Sequence, residues 1–385
     1  MSRTQPLEQL ALAQNLVTAL VEDVDDAVCR TQYSPELSPL GWHLGHCVYV
    51  ECYWLHELVR GDASVTAPLH SLYQPPCTPK PERGRHLPPH AALLAWAHDL
   101  QAYNLHYLAN LDPALAGHTL FHDAYLQHFL IQHYGQHYET MLMVLAQKAL
   151  QETAVDFAVP QPISPQPPRS DRAKVPGGHH RFGGESPEAY DNELPQQQAE
   201  LGSFAIGRFP VTHAEYLAFM HDGGYAKPGL WSEGGRDWRR RHPAIEAPEY
   251  WRRNADGHWF GIGIRGAYQL AAGEPVYGIN QYEAEAYAKW AGGHLPHEYQ
   301  WETACRLGLL EDTGRTWEWC RNAFHPYDGY RAFPNDEYSL PWFDGAHFTL
   351  KGGSLYTRPA VKRPSFRNFY QADKRHIFAG LRLVW

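Results

Sequence analysis

The chain has 385 residues, 44% of them hydrophobic and 13% aromatic, which excludes a largely disordered protein and predicts two or three packed domains. A formal net charge of -9 argues against nucleic acid as the main partner, because phosphate binding needs a concentrated basic face. No apolar run approaches the roughly 20 residues of a membrane-spanning helix. The N-terminus lacks the basic start and apolar core of a signal peptide, so a cytoplasmic protein with no membrane partner is expected. Six cysteines without a C-x-x-C pair fit reduced thiols better than a disulfide framework or a zinc ribbon.

In chain order, apolar residues recur at three- and four-residue spacing in 7–24 (LEQLALAQNLVTALVEDV), 43–59 (HLGHCVYVECYWLHELV), 91–111 (AALLAWAHDLQAYNLHYLANL) and 125–150 (YLQHFLIQHYGQHYETMLMVLAQKAL). The spacing predicts four amphipathic helices in an antiparallel bundle. The connection 66–89 is rich in proline and reads as non-helical, a loop long enough to line a binding site. Within it, Lys80, Arg83 and Arg85 suit either the carboxylate or phosphate of a ligand, or plain solvation. The segment VPQPISPQPPRSD, from Val159, is an extended linker, since proline at that density opposes both helix and sheet.

Beyond the linker, glycine, tryptophan and tyrosine become dense. Short strands are expected in FAIGRFPVT, HFTLKGGS and AGLRLVW, and helices in THAEYLAFMHD and NQYEAEAYAKWAGG. The fold class is therefore α+β: a helical domain over 1–157, a linker over 158–173 and a loop-rich domain over 174–385.

The chemistry concentrates in HYGQHYETML. His133 and His137 stand four residues apart, so a helix projects both from one face, which suits a metal and equally suits packing. WHLGH repeats the arrangement, with His43 and His46 one turn apart on another bundle helix. Bundle interiors are where side chains of facing helices converge on ions. Three neutral imidazoles would accept iron(II), zinc or copper, and a facial triad on an octahedral ion leaves three adjacent positions open.

The phrases DNELPQQQAELGSFAIGRFPVTHAEYLAF, GGHLPHEYQWETACR and LKGGSLY resemble the formylglycine-generating-enzyme fold, a variant of the C-type lectin fold. SPLGWHLGH and HYGQHYETML resemble the DinB fold. Together the two halves resemble the ergothioneine sulfoxide synthases, non-haem iron enzymes that use dioxygen to attach sulfur to C2 of the imidazole of hercynine. LYTRPAVKRPSFRNFY, after the GGS, lacks the paired cysteines of the copper-dependent members, which argues against sulfatase maturation.

The resemblance implies Fe(II) held by His46, His133 and His137, with His43 beside them as a supporting or packing residue. It implies that Gln136 hydrogen-bonds the substrate imidazole, although a solvent-facing role is equally open, and Glu139 is expected to face water. In SFRNFYQADKRHIFAGLRL it places Asn368 and Phe369 against hercynine, whose quaternary ammonium favours aromatic faces. Phe366 reads as core.

Two departures stand out. Where γ-glutamylcysteine-using members carry an aspartate and an arginine, this chain has Tyr370 and Lys374, and lysine does not clamp a carboxylate in the bidentate manner of arginine. In FPNDEYSLPWF, Asn335 falls where the family's proton-donating tyrosine is expected, leaving Tyr338, Tyr370 or Tyr73 for that task. Both changes resemble the selenoneine synthase branch, so a selenosugar donor is slightly preferred over cysteine or γ-glutamylcysteine. The competing readings are a DinB-type metal-dependent hydrolase or thiol transferase, and a lectin-like binding module.

Overall fold

A computed structural model describes residues 4–115, 117–153 and 156–385. The chain divides into two compact units, one of residues 1–151 with 186–188 and the other of residues 152–185 with 189–385. No helix among the described residues is long and apolar enough to cross a membrane. All six cysteines are free.

The first unit contains the four expected long helices, α1 (Thr4–Glu22), α3 (Leu40–Cys52), α6 (His90–Ala109) and α7 (Tyr125–Glu152), with the short α2 (Asp26–Arg30) between the first two. Helix α3 is apolar nearly all round and buries every residue except Val50, as expected of a central helix. It packs against α1, α2 and α6. It continues through a π-helical segment, Tyr53–Leu58, whose Trp54 meets Phe129 of α7 edge-on at 5.3 Å.

The proline-rich connection is not devoid of helix, contrary to the expectation for it. It forms α4 (His70–Tyr73) and α5 (Lys80–His86), the second starting with proline in its first turn, where the missing N–H has no helical acceptor to lose. Glycines let this connection close onto the bundle: a Cβ on Gly45 would lie 2.1 Å from the Tyr73 ring, and one on Gly84 2.1 Å from the Arg30 carbonyl oxygen.

The second unit is built of small sheets. β1 (Arg172–Val175) pairs antiparallel with β4 (Phe204–Gly207), β2 (Gly178–Phe182) with β3 (Gln197–Leu201), and β5 (Trp251–Arg253), β6 (Trp259–Gly263) and β7 (Gly266–Tyr268) form a meander. A four-stranded sheet has the order β10 (Asn368–Gln371), β9 (His347–Lys351), β8 (Trp317–Ala323), β11 (Ala379–Gly380), with β11 parallel to β8.

Helices α8 (His213–His221) and α10 (Gln281–Trp290) lie where expected, each opened by a reciprocal capping box, Thr212 with Glu215 and Asn280 with Glu283. Two further helices, α9 (Glu233–Arg241) and α11 (Glu298–Arg306), escaped the periodicity reading. In α11 the inward face is acidic: Glu298 and Glu302 are buried and paired with Arg367 and Lys351. In α9 only Trp238 and Gly235 are buried.

These pairs belong to a charged core. Arg367 forks onto Glu298 at 2.7 and 2.9 Å and Arg382 onto Glu318 at 2.8 and 2.8 Å, all four side chains fully buried. Arg367 also donates to the carbonyls of Asn192 and His325, at 2.6 and 2.8 Å, which fixes the start of β10.

Candidate metal centre

Helix α7 carries His133 and His137 one turn apart, with ring centroids at 4.5 Å. Helix α3 brings His46 to 5.2 Å from the first and 4.8 Å from the second, so the three rings form a nearly equilateral triangle. One nitrogen from each lies within 4.8 Å of the others, the one such group of three among the described residues. Helical spacing alone supplied two of these imidazoles; the packing of α3 supplies the third.

The shell around the triangle orients the rings. His46 donates from Nδ1 to the Tyr73 carbonyl oxygen at 2.7 Å, which fixes its tautomer and leaves Nε2 with a free lone pair. Its ring stacks on Trp42 at 4.8 Å, and the Arg83 guanidinium covers the Trp42 ring at 3.9 Å. His43 places Nδ1 3.0 Å from Nδ1 of His137, so it supports that ring from outside the triangle. His133 stacks parallel to Phe129 at 6.4 Å.

Electrostatics favour neutral imidazoles here. Burial holds His46 down to about 4 and His43 to about 3, and drives His133 and His137 well below the usual histidine range, with the neighbouring imidazoles adding to the effect for His43, His133 and His137. Metal binding requires the deprotonated nitrogen, so the same burial that would penalise a bare imidazolium leaves lone pairs ready for a cation. Nδ1 of His133 is buried without a hydrogen-bond partner among the described residues. Three neutral nitrogen donors with such an orphan fit a borderline divalent transition metal.

Sequence comparison places the whole chain. The DinB superfamily model matches residues 9–141, and the sulfatase-modifying factor enzyme 1-like domain model matches 159–313 and 306–385. A hercynine oxygenase of Mycolicibacterium smegmatis is 32% identical, over 98% of this chain and 98% of that protein. A hercynine oxygenase of Mycobacterium tuberculosis is also 32% identical, over 98% of this chain and 97% of that protein. A formylglycine-generating enzyme of Thermomonospora curvata shares 32% identity with only 40% of this chain. The chain belongs to the hercynine oxygenase family.

In this hercynine oxygenase family member the remaining candidate residues are distributed as follows. Gln136 is half-buried and adjoins the ligand-type His137 on α7. Glu139, expected to face water, is buried instead, on the inward side of the same helix. Of the three cations in the proline-rich connection, Lys80 donates to the Glu36 carbonyl and Arg85 pairs with Glu82 at the surface. Arg83 is neither solvated nor free for a ligand. It is buried, donating to the Thr78 carbonyl at 2.9 Å and to Ser38 Oγ and the Pro75 carbonyl, each at 2.5 Å. Tyr73 is buried against Gly45, and burial pushes its phenol well above the usual range.

In the second unit, Asn368, Phe369 and Tyr370 follow one another along β10, and Lys374 sits in the turn beyond it, 3.4 Å from the Asp373 carboxylate. Phe369 stacks on Phe324 at 4.3 Å, and Phe366 is core. Tyr338 stacks on Tyr190 at 4.2 Å, and its neighbour Ser339 is held by Asn192 and Asp191. The Asn335 side chain accepts from the Glu337 backbone N–H at 3.2 Å, a turn-forming role.

The sequence reading missed Glu51. It is fully buried on α3, accepts from Gln14 Nε2 at 2.8 and 3.0 Å and from the Tyr134 hydroxyl at 2.6 Å, and is pushed up to about 7 by burial. A lone acid inside the apolar run HCVYVECYW was the available signal.

Proposed function

We propose that this protein couples a chalcogen donor to C2 of the hercynine imidazole, using iron(II) and dioxygen. The observation that carries the reading is the His46, His133, His137 triangle in a chain that aligns along nearly all its length with hercynine oxygenases. The coupling replaces a C2–H bond by a C–Se or C–S bond, with dioxygen as the electron acceptor. Iron at the triangle would supply oxygen activation and open coordination positions for substrates.

The chain's own residues do the rest. The three imidazoles stay neutral and the His46–Tyr73 bond holds one ring in its ligating tautomer. Gln136 is the proposed hydrogen-bond partner of the substrate imidazole. Asn368 and Phe369 are proposed for hercynine binding, Lys374 for the donor, and Tyr338 or Tyr370 for proton delivery, with Asn335 standing where the family's phenol is expected. Tyr370 and Lys374 lack the aspartate and arginine that grip an amino-acid donor, which supports a selenosugar over a cysteine-type thiol.

The test offers hercynine with cysteine, γ-glutamylcysteine and a selenosugar in competition, with products read by mass spectrometry and oxygen consumption followed in parallel. A selenium-containing imidazole product is expected. A protein that purifies anaerobically with full zinc and shows no hercynine-dependent oxygen uptake would overturn the proposal in favour of a DinB-type hydrolase or thiol transferase.

A further inference from the structure

Among the described residues four lysine or arginine side chains are buried, Arg83, Lys351, Arg367 and Arg382. Three of them face a carboxylate: Lys351 meets Glu302 at 3.0 Å, Arg367 meets Glu298 at 2.7 Å and Arg382 meets Glu318 at 2.8 Å. Arg83 is the exception. It is 4% exposed, and its hydrogen bonds go to neutral oxygens, the carbonyls of Thr78 and Pro75 and the hydroxyl of Ser38. Burial lowers its pKa only to about 10, so it is charged at neutral pH. A buried cation without a counter-ion carries a large desolvation penalty. Neutral donors would tie the same oxygens without it.

The place of the charge points to its use. The guanidinium carbon lies 3.9 Å over the Trp42 ring, and that ring stacks on His46 at 4.8 Å with 10° between the planes. One indole therefore separates a permanent positive charge from an imidazole of the triangle. Cation–π attraction steadies the guanidinium where a carboxylate would have cancelled it. Trp42 and His46 are buried, so little water screens the field. The field reaches the histidines: burial is the main cause that holds His46 down, and the Arg83 charge adds to it. His43 is held down first by burial, then by His46 and then by Arg83.

A fixed positive charge opposes a ferric ion more than a ferrous one. We propose that Arg83 is a positioning residue for charge at the metal centre, whose un-neutralised guanidinium, acting across Trp42 and His46, biases iron at the triangle toward iron(II). The inference rests on the iron proposed above. A purely structural Arg83, strapping residues 75–78 of the connection to Ser38, would need its donors and not its charge.

The test is the midpoint potential of the full-length protein loaded anaerobically with iron(II), read by spectroelectrochemistry at neutral pH. Arg83→Gln removes the charge and keeps an amide N–H. The ratio of iron(III) to iron(II) affinity should rise about tenfold, which lowers the potential by about 59 mV. Arg83→Lys keeps the charge but loses the fork, and should stay close to the wild type. Ser38→Asp sets a carboxylate against the guanidinium and spares its bonds to the Thr78 and Pro75 carbonyls, so it should lower the potential as Arg83→Gln does. It decides alone if the Arg83 variants fail to fold. The proposal is overturned if Ser38→Asp matches the wild type, or if Arg83→Lys falls as far as Arg83→Gln.

Cobalt(II) separates this inference from the proposed reaction. Competition with a chromophoric chelator should show cobalt(II) bound about tenfold more tightly by Ser38→Asp than by the wild type. That gain in a protein with no hercynine-dependent oxygen uptake would refute the coupling reaction and leave the role of Arg83 standing. Equal cobalt affinities would refute the role of Arg83 alone.

Discussion

His46 donates a hydrogen bond from Nδ1 to the backbone carbonyl of Tyr73, 2.7 Å away, and the ring of the same tyrosine lies where a Cβ on Gly45 would be. One residue of the proline-rich connection thus sets the tautomer of a metal-ligand candidate and also lies in close contact with the helix that carries it. Gly45→Ala must push the Tyr73 ring aside and with it the carbonyl. A loss of about 10–100-fold in metal affinity is expected, the usual cost of disturbing a ligand's orienting partner. Competition with a chromophoric chelator measures it, and unaltered affinity would remove Tyr73 from this role.

The triangle and its support separate by substitution. His133→Ala leaves two imidazoles, and the purified protein should retain almost no bound metal by elemental analysis. His43→Ala removes only the partner 3.0 Å from His137, so metal binding should persist, weakened by about 10–100-fold. Equal losses in the two variants would make His43 a ligand.

Glu51 gives the bundle a pH dependence of definite sign. Its carboxyl is pushed up from the ordinary 4.5 to about 7 in the fold by burial, so between those values the native state holds a proton that the unfolded chain has released. Its contribution to stability is complete below about 4.5 and is lost as pH rises through about 7, a change on the order of 3 kcal/mol. Glu51→Gln stays neutral throughout. Chemical unfolding followed by helical circular dichroism should show the variant gaining on the wild type across this interval, and parallel pH curves would contradict the assignment. The depressed histidines act in the opposite sense below the ordinary histidine range, which is why the comparison with the variant, rather than the raw curve, is the measurement.

The charged core of the second unit predicts a large penalty for removing one partner alone. Glu298→Gln strands the Arg367 guanidinium, fully buried beneath β10. A loss of about 3–5 kcal/mol is expected, read as the unfolding midpoint of the C-terminal unit. Replacing both residues by apolar ones should recover part of it.

On the proposed reaction, Lys374→Ala should raise the donor's apparent KM and leave that of hercynine nearly unchanged. Steady-state kinetics with each substrate varied in turn decide this, and an unchanged donor KM would place the donor elsewhere.

Much of this architecture was legible in the residue order. Helical spacing gave the four long bundle helices, the one-turn pairs His43/His46 and His133/His137, and the change of character beyond the proline-rich linker, because local periodicity and proline chemistry act over a few residues. Charge in the interior broke the same logic. Helix α11 turns Glu298 and Glu302 inward, where their partners Arg367 and Lys351 lie 69 and 49 positions further along the chain, so no local pattern marks it as half-buried. Glu139 read as exposed, and Arg83 as either solvated or available to a ligand, for the same reason: hydropathy assigns an ionisable group to water or to a ligand unless its protein partner is known.

The sequence by itself therefore determined which side chains share a helical face and which segments cannot be regular. Only the tertiary structure decided that His46, 87 residues before His133 in the chain, completes its triangle, that Tyr73 orients it, and that burial keeps all three rings neutral. Such properties depend on desolvation and on approach through space, and neither is encoded at fixed spacing.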